Sequence, residues 1–569
     1  HFIFSKPNME GIIAGLLEKL DRTTGNRVTK VSTNFHARAR PLRQQHQDEG
    51  ITSIKQDWIH RNNIDVGDYE NTSNRDGTHG ASKMFDGYAH LLDDHDPAEL
   101  TDDELAQCIL MILEEMPVGD DGLPIDFNVP NPVTADYLPN KSAVGYLPSS
   151  PHKIDGTKSD NYLTIMTDYE AYLKECEHAV PPPIPNYTVW KNEVVGKEKK
   201  TRTVQVSSPI YQIIGKNCVL PILDATKNWY HGDFQGLPMI HGSIVPVFYS
   251  FAYKAVDIEE DYGHRVDLSE LVEADQSEYE SRLEIYTALL LFVQYSFLIK
   301  ETTRSKQMAI CTLFESYMNP VYGITGDVFF SNLGSVPSGN PLTSAGNTKR
   351  HMIIKKLFHS HLLVCKQTKC HYCEGKSDLV SVAVDYLMNA FMSDDHLGIN
   401  NRMVVPYVKF CEQRLNLRPK IRVCKENEHP EFLRMTVDLH HLGYKSVRLP
   451  DRLYNKIFHK VHTVTTLLES VTSALVLAGN NKNTYDVLID LYDTVMEHAL
   501  LYNIKLPVEV TADRNVCDDL VLPLTRLTYE ECVSYQSYDN SSLDLWSQKL
   551  LLGKMNGVGE SFFKFGKSF

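Results

Sequence analysis

The sequence has no hydrophobic run long enough to cross a membrane. Its best stretch, 288–299, is 12 residues and contains Gln294 and Ser296, whereas a span needs roughly 20. A basic leader is missing as well: the short apolar piece 11–17 lies between Glu10 and Glu18, so a signal peptide is not expected. There is no internal repeat and no low-complexity tract, and 42 % hydrophobic with 23 % charged residues is ordinary for a globular protein. A mostly disordered chain, a coiled coil and a collagen-like fibre are thereby excluded. Excess positive charge is also lacking: 57 Lys and Arg stand against 73 Asp and Glu, a net −16. The surface as a whole repels nucleic acid, and a polyanion partner requires a locally basic groove. The cysteines number 11; an odd, scattered set fits a reducing compartment better than a disulfide framework. The chain opens on His1 rather than Met and is expected to be a processed fragment of a larger product or a trimmed chain.

What is there is enough for a large core. A length of 569 residues suggests three or four packing units at about 150 residues each, or one multi-lobed enzyme. Residues 1 to about 130 are polar, with acidic clusters at 93–96 and 101–104. Thr101 followed by Glu104 reads as a capping box opening a helix over 105–115. A turn-rich stretch over 119–151 follows, and the proline cluster 181–185 marks a boundary before a basic segment. Residues 282–300 read as an apolar helix, 380–400 as two short strands around a polar turn, and 452–504 as two helical runs separated by Gly479, Asn480 and Asn481. Helices and strands without regular alternation argue for α+β.

Four constellations carry chemistry. Asp394 and Asp395 lie between apolar runs, where a hairpin would turn two carboxylates toward one cation. Taken alone, such a pair is more often a solvated acidic turn. Asp275 closes a strand-like piece over 269–274 and offers a third carboxylate; alone it is a surface acid. Three hard oxygen donors suit Mg²⁺, with phosphate and water oxygens completing the octahedron. In 337–347, Gly339 permits unusual backbone geometry or close approach of a ligand. Thr343 and Asn347, four apart, share a helix face that could present hydroxyl and amide groups to a sugar; a polar loop capping a helix is the alternative. Finally, 191–202 holds five basic residues in twelve, including Lys191, Lys200 and Arg202. It suits a triphosphate or a substrate channel, or else is a solvated hairpin.

Together and in this order, the motifs resemble the RNA-dependent RNA polymerases of picorna-like positive-strand RNA viruses. Arg202 to Asp275 is 73 residues, Asp275 to Ser338 is 63 and Ser338 to Asp394 is 56, spacings plausible for that family. The stretch 141–148, with Ser142 and Gly145, resembles its template-entry loop. Phe432, Leu433 and Arg434 resemble the hairpin that grips the primer strand. The recognisable pattern covers about 140–435.

The resemblance implies an α+β closed right hand of fingers, palm and thumb, with an antiparallel palm sheet and a helical thumb. Residues 1–270 would supply the N-terminal segment and fingers, 271–440 the palm with a small fingers insertion at about 300–335, and 441–569 the thumb. It implies two Mg²⁺ (or Mn²⁺) ions on the catalytic Asp275, Asp394 and Asp395. Lys191, Lys200 and Arg202 would meet the NTP, and Glu280, Ser338, Thr343 and Asn347 would choose ribose. Ser142, Gly145, Gly339, Phe432, Leu433 and Arg434 would contact RNA. Lys420 or Lys425 would be the general acid for pyrophosphate. The implied partners are RNA template and product strand, NTPs and other viral replication proteins, in membrane-associated replication complexes of the host cytoplasm. The chain carries Ser393 where most of that family has glycine, and Glu280 where it usually has aspartate. Glu280 and Asn347 are expected to form a polar pair under the ribose.

Cys365, Cys370 and Cys373, with His361 or His371 nearby, have spacing suited to zinc; reduced cysteines in a hairpin or loop are the favoured reading. A reverse transcriptase shares the palm and aspartate pair but usually places a bulky steric gate after the first aspartate, and Tyr279 lies one residue before that position. A non-catalytic RNA-binding protein with a palm-like fold is the third reading.

Overall fold

The computed structural model describes residues 28–36, 47–74, 99–117, 127 and 142–555, apart from 200, 239, 241–243, 283, 300–302, 324–328, 425–429, 434, 439–444, 449 and 512–519. It is a mixture of helices and small, mostly antiparallel sheets, as the α+β reading expects. Among the described residues no helix is long and apolar enough to cross a membrane. The described cysteines are all free thiols. The acidic cluster at 93–96 and most of the proline-rich stretch lie outside the described residues.

Local signals place several elements. The Thr101 hydroxyl accepts from Glu104 N, and the Glu104 carboxylate accepts from Thr101 N at 2.7 Å, which opens the helix Asp102–Glu114. Leu105, Cys108, Ile109 and Ile112 then recur at helical spacing and are buried. The apolar run forms the helix Ile285–Phe297, buried on most of its circumference. In the last third, Pro450–His459, Val464–Ala478 and Lys482–Leu501 are helical, with Gly479 to Asn481 separating the second from the third. The expected two strands over 380–400 are corrected in their first half. Leu379–Leu387 is a helix, because Asp378 caps it and Ala383, Val384 and Leu387 bury one face.

Two sheets matter for the site. One has five strands, in the order Val28–Val31, Phe329–Asn332, Val321–Gly323, Asn186–Trp190 and Thr203–Val206, with a single parallel pair between the third and fourth. The other is antiparallel with four strands: Asn389–Met392, Asp395–Ile399, Leu271–Ser277 and Arg418–Val423. Two apolar cores flank them. The first joins helices Asp102–Glu114, Tyr162–Cys176, Ile285–Phe297 and Arg304–Met318. The second joins the C-terminal helices to Val245–Tyr262 and Glu49–Asn62. The last of these lies on Lys482–Leu501, where Trp58 Nε1 donates to Val487 O at 2.8 Å.

A central helix, Thr343–Val364, contributes to the first core and packs on the strand Asn389–Met392; it is buried on every side from Ala345 to Leu362. A helix with four buried cations in its interior is stable only if each is paired. Lys349 meets Asp233 at 2.7 Å, Lys355 meets Asp385 at 2.8 Å and Lys356 meets Glu115 at 2.6 Å. Arg350 donates to Tyr279 O at 2.8 Å and lies over the Tyr279 ring.

Candidate functional site

The strand Leu271–Ser277 alternates: Val272, Ala274 and Gln276 are buried, while Glu273, Asp275 and Ser277 face outward. Register sets Asp275 directly opposite Asp395 on one side and Lys420 on the other. Directly opposed residues share a face, with Cβ atoms about 5 Å apart. Two carboxylates so placed repel each other unless a cation intervenes. Lys420 supplies one positive charge at the end of the row. Lys420 and Asp275 are therefore neighbours, whereas Lys425 lies outside the described residues.

Asp394 occupies the turn of the hairpin, exposed, after Ser393. Ser393 has φ 58°, in the left-handed region that favours glycine. The central helix holds this turn: Ser393 N donates to Thr348 Oγ1 at 2.8 Å, and His351 Nδ1 donates to Ser393 O at 3.2 Å. Burial lowers the His351 pKa to about 3, so the ring is neutral and donates from one nitrogen. Below the turn, Phe391 and His396 stack at 4.6 Å, and His396 Nε2 donates to Asn389 Oδ1 at 2.8 Å.

The basic segment faces this turn but is not free. Arg202 Nε donates to Glu193 Oε1 at 2.7 Å, and Lys191 Nζ lies 3.3 Å from the same carboxylate. The Glu193 bond raises the Arg202 pKa most, against the effect of burial, and the charges of Glu280 and Asp394 add to it. Glu280 keeps a path to solvent, yet the crowding around it, and then Asp394, raise its carboxyl above the usual range. Lys200 lies outside the described residues.

The residues expected to select the sugar are engaged differently from expectation. Ser338 Oγ accepts from Gln205 N at 3.1 Å and donates to Gln205 Oε1 at 3.0 Å. A Cβ on Gly339 would fall 2.0 Å from Gln205 O, so this glycine allows chain to approach chain; the space is not open to RNA. Thr343 Oγ1 donates to Pro337 O at 2.7 Å. Asn347 is 1 % exposed, and its Oδ1 accepts from the Tyr317 hydroxyl at 2.8 Å. Among the described hydrogen bonds there is none between Glu280 and Asn347; the expected pair is replaced by Asn347 with Tyr317.

The expected RNA contacts also turn inward. Gly145 is buried at φ 84°, where a Cβ would come within 3.2 Å of Ser207 O. Ser142 is half-buried, with its carbonyl accepting from Lys158 N at 3.0 Å. Phe432 is 2 % exposed in the second core, and Leu433 packs against that core at φ 54°. Arg434 lies outside the described residues. Sequence reasoning missed Glu193, Thr348 and His351. The last could have been found, because it continues the four-residue spacing of Thr343 and Asn347.

A second cluster lies where the central helix ends. Among the described residues, the one group of three or more His, Cys, Asp or Glu whose ligand atoms lie within 4.8 Å of one another is His361, Cys365, Cys370 and Cys373. The thiols expected in a hairpin or loop are free and converge on one imidazole, so a metal could be held there. His361 is the histidine involved; His371 instead bonds Gln413 at 2.9 Å.

No family model matches the chain. No curated protein matches it either.

Proposed function

We propose that the protein is a template-directed RNA polymerase of right-hand form. Residues 1 to about 270 would form the N-terminal segment and fingers, about 271–440 the palm with its insertion at about 300–335, and about 441–569 the thumb. The observation that carries the reading is the register of Asp275 with Asp395 beside a hairpin turn bearing Asp394. Arg202 lies near that turn, from the residue before the strand Thr203–Val206 of the other sheet.

The donor set fits Mg²⁺ or Mn²⁺, since it is all hard oxygen and solvent-accessible. Asp275, Asp394 and Asp395 would hold such ions, which supply charge neutralisation and a more acidic 3′-hydroxyl. The chain's own residues orient the triphosphate and exclude misaligned poses. The 3′-oxygen forms a bond to the α-phosphorus, the bond from that phosphorus to the bridging oxygen breaks, and pyrophosphate leaves. The hydroxyl proton passes to solvent, and Lys420, opposite Asp275, would protonate the leaving group. The work is positioning and electrostatics.

RNA rather than DNA synthesis is favoured by Tyr279. Its hydroxyl donates to Asn347 O at 3.1 Å and its ring lies under Arg350, so it is turned into the core and cannot gate a sugar. A replicase of this kind would act with other viral replication proteins. The test is incorporation of UMP on a poly(A) template by the full chain, with Mg²⁺ or Mn²⁺ and with EDTA. Metal-dependent incorporation from UTP and poor use of dTTP are expected. Equal use of both would point to a reverse transcriptase, and no incorporation with any template would leave an RNA-binding protein.

A further inference from the structure

The thiol cluster stands apart from the carboxylate hairpin, and the polymerase reading makes no use of it. We propose that His361, Cys365, Cys370 and Cys373 form a closed structural zinc site that ties the C-terminal end of the central helix to the loop after it.

The local chain builds the set. His361 and Cys365 are four apart at the helix end and therefore share a face; Cys365 N still donates to His361 O at 3.0 Å. The loop then turns back, with Cys373 N donating to Cys370 O at 3.1 Å, and Lys376 Nζ donating to Cys365 O at 2.7 Å fixes its return. The four ligand atoms lie within 4.8 Å of one another. A tetrahedron with Zn–S bonds of about 2.3 Å has edges of about 3.8 Å, so only a small closure is needed. His361 Nε2 already lies 3.2 Å from Cys370 Sγ.

The outer contacts point the same way. His361 Nδ1 lies 2.6 Å from Glu104 Oε1, and Arg414 Nη2 lies 3.1 Å from Glu104 Oε2. A carboxylate on Nδ1 fixes the tautomer that leaves Nε2 free to ligate, an arrangement typical of metal-bound histidines. A Cys–His nucleophile would need one thiol with open approach to substrate; three thiols converging on one imidazole fit a metal. Three sulfurs and one nitrogen complete a tetrahedron and leave no open position, which makes the site structural.

The test is the metal content of the full chain purified under reducing conditions, with Co²⁺ exchange as a second measurement. About one zinc per chain is expected, and Co²⁺ should give thiolate charge-transfer bands and tetrahedral d–d bands. Cys365→Ser and Cys370→Ser should lose zinc, whereas Cys311→Ser and Cys532→Ser should keep it, and His361→Cys should retain it. The cobalt spectrum of the unaltered chain requires no variant to fold. A folded chain without zinc that gives no tetrahedral Co²⁺ spectrum overturns the site, as does full zinc retention by both ligand variants. Neither readout depends on RNA synthesis, so failure here and failure of the polymerase reading are separable.

Discussion

The carboxylate hairpin and the thiol cluster hang on the same helix, Thr343–Val364, yet they are built in opposite ways. The hairpin takes its acids from segments 120 residues apart, Asp275 and Asp395, and leaves them open to solvent. The cluster takes its ligands from 13 consecutive residues, 361–373, and closes them on one another. His351, beneath the hairpin, and His361, in the cluster, are ten residues apart, about 15 Å along a helix. The contrast separates two uses of a cation. On the two proposals, soft ligands would complete their own tetrahedron and hold chain to chain, while hard ligands at an open turn would share a cation with oxygens brought by a substrate.

The largest effect should come from breaking what both sites share. Asp385 is buried between Lys355 and His359, at 2.8 and 2.9 Å. Asp385→Ala leaves a buried cation unpaired and should cost about 3–5 kcal/mol, read as a lower urea midpoint. Burial pushes the Asp385 carboxyl up, but Lys355 and His359 outweigh it and hold it below its ordinary value. Its contribution is therefore complete above about pH 4 and is lost as pH falls through the lower folded value. Stability of Asp385→Asn should vary less over that acid range; an unchanged acid limb would remove this role.

Next is Asp394→Asn, which should reduce incorporation roughly 100- to 1,000-fold while melting temperature and zinc content stay as in the parent. Substantial synthesis by that variant would end the polymerase reading; lost zinc would mean that the two sites are not independent. Arg202→Ala should raise KM for NTP about tenfold or more, the worth of a charge-assisted hydrogen bond, and weaken template binding less. Equal losses would make the segment a template clamp. Because Glu193 holds the guanidinium, Glu193→Gln should move KM in the opposite direction.

Asn347→Ala removes the acceptor for Tyr317 and should cost about 1–3 kcal/mol of stability. It should relax the UTP-over-dUTP preference only by a few-fold, because the amide is already engaged away from solvent. A variant that discriminates as the parent does would make Asn347 purely a packing residue. The smallest effect is expected for Ser393→Gly. Relief of the left-handed backbone is worth about 1 kcal/mol, partly offset by glycine's unfolded-state entropy. A melting temperature equal to or above the parent's, with activity kept, is the outcome; a clear drop would show that the serine side chain supports the turn.

How much was legible follows from where each partner sits in the chain. The capping box at Thr101 and Glu104, the apolar helix 285–297 and the break at Gly479 are local, and each signal lies within a few residues. The two strands expected over 380–400 are confined to 389–399, because short apolar runs look alike in either conformation and the cap at Asp378 decides for helix before them. Ser338, Gly339 and Asn347 were singled out for contact with nucleotide or RNA, whereas the partners they meet, Gln205 and Tyr317, are remote in sequence.

The sequence by itself determined the ingredients: net acidity, an order of acidic, basic and glycine-bearing motifs, helix caps, and a run of cysteines beside a histidine. These are properties of composition and short spacing, which backbone sterics and side-chain periodicity read directly. Tertiary structure alone decided that Asp395 lies opposite Asp275 and Lys420, that Glu193 engages Arg202, that Phe432 faces the core and that three thiols meet one imidazole. Each of those depends on a strand register or a helix packing fixed by burial of distant apolar faces, and no local pattern specifies which distant face will be met.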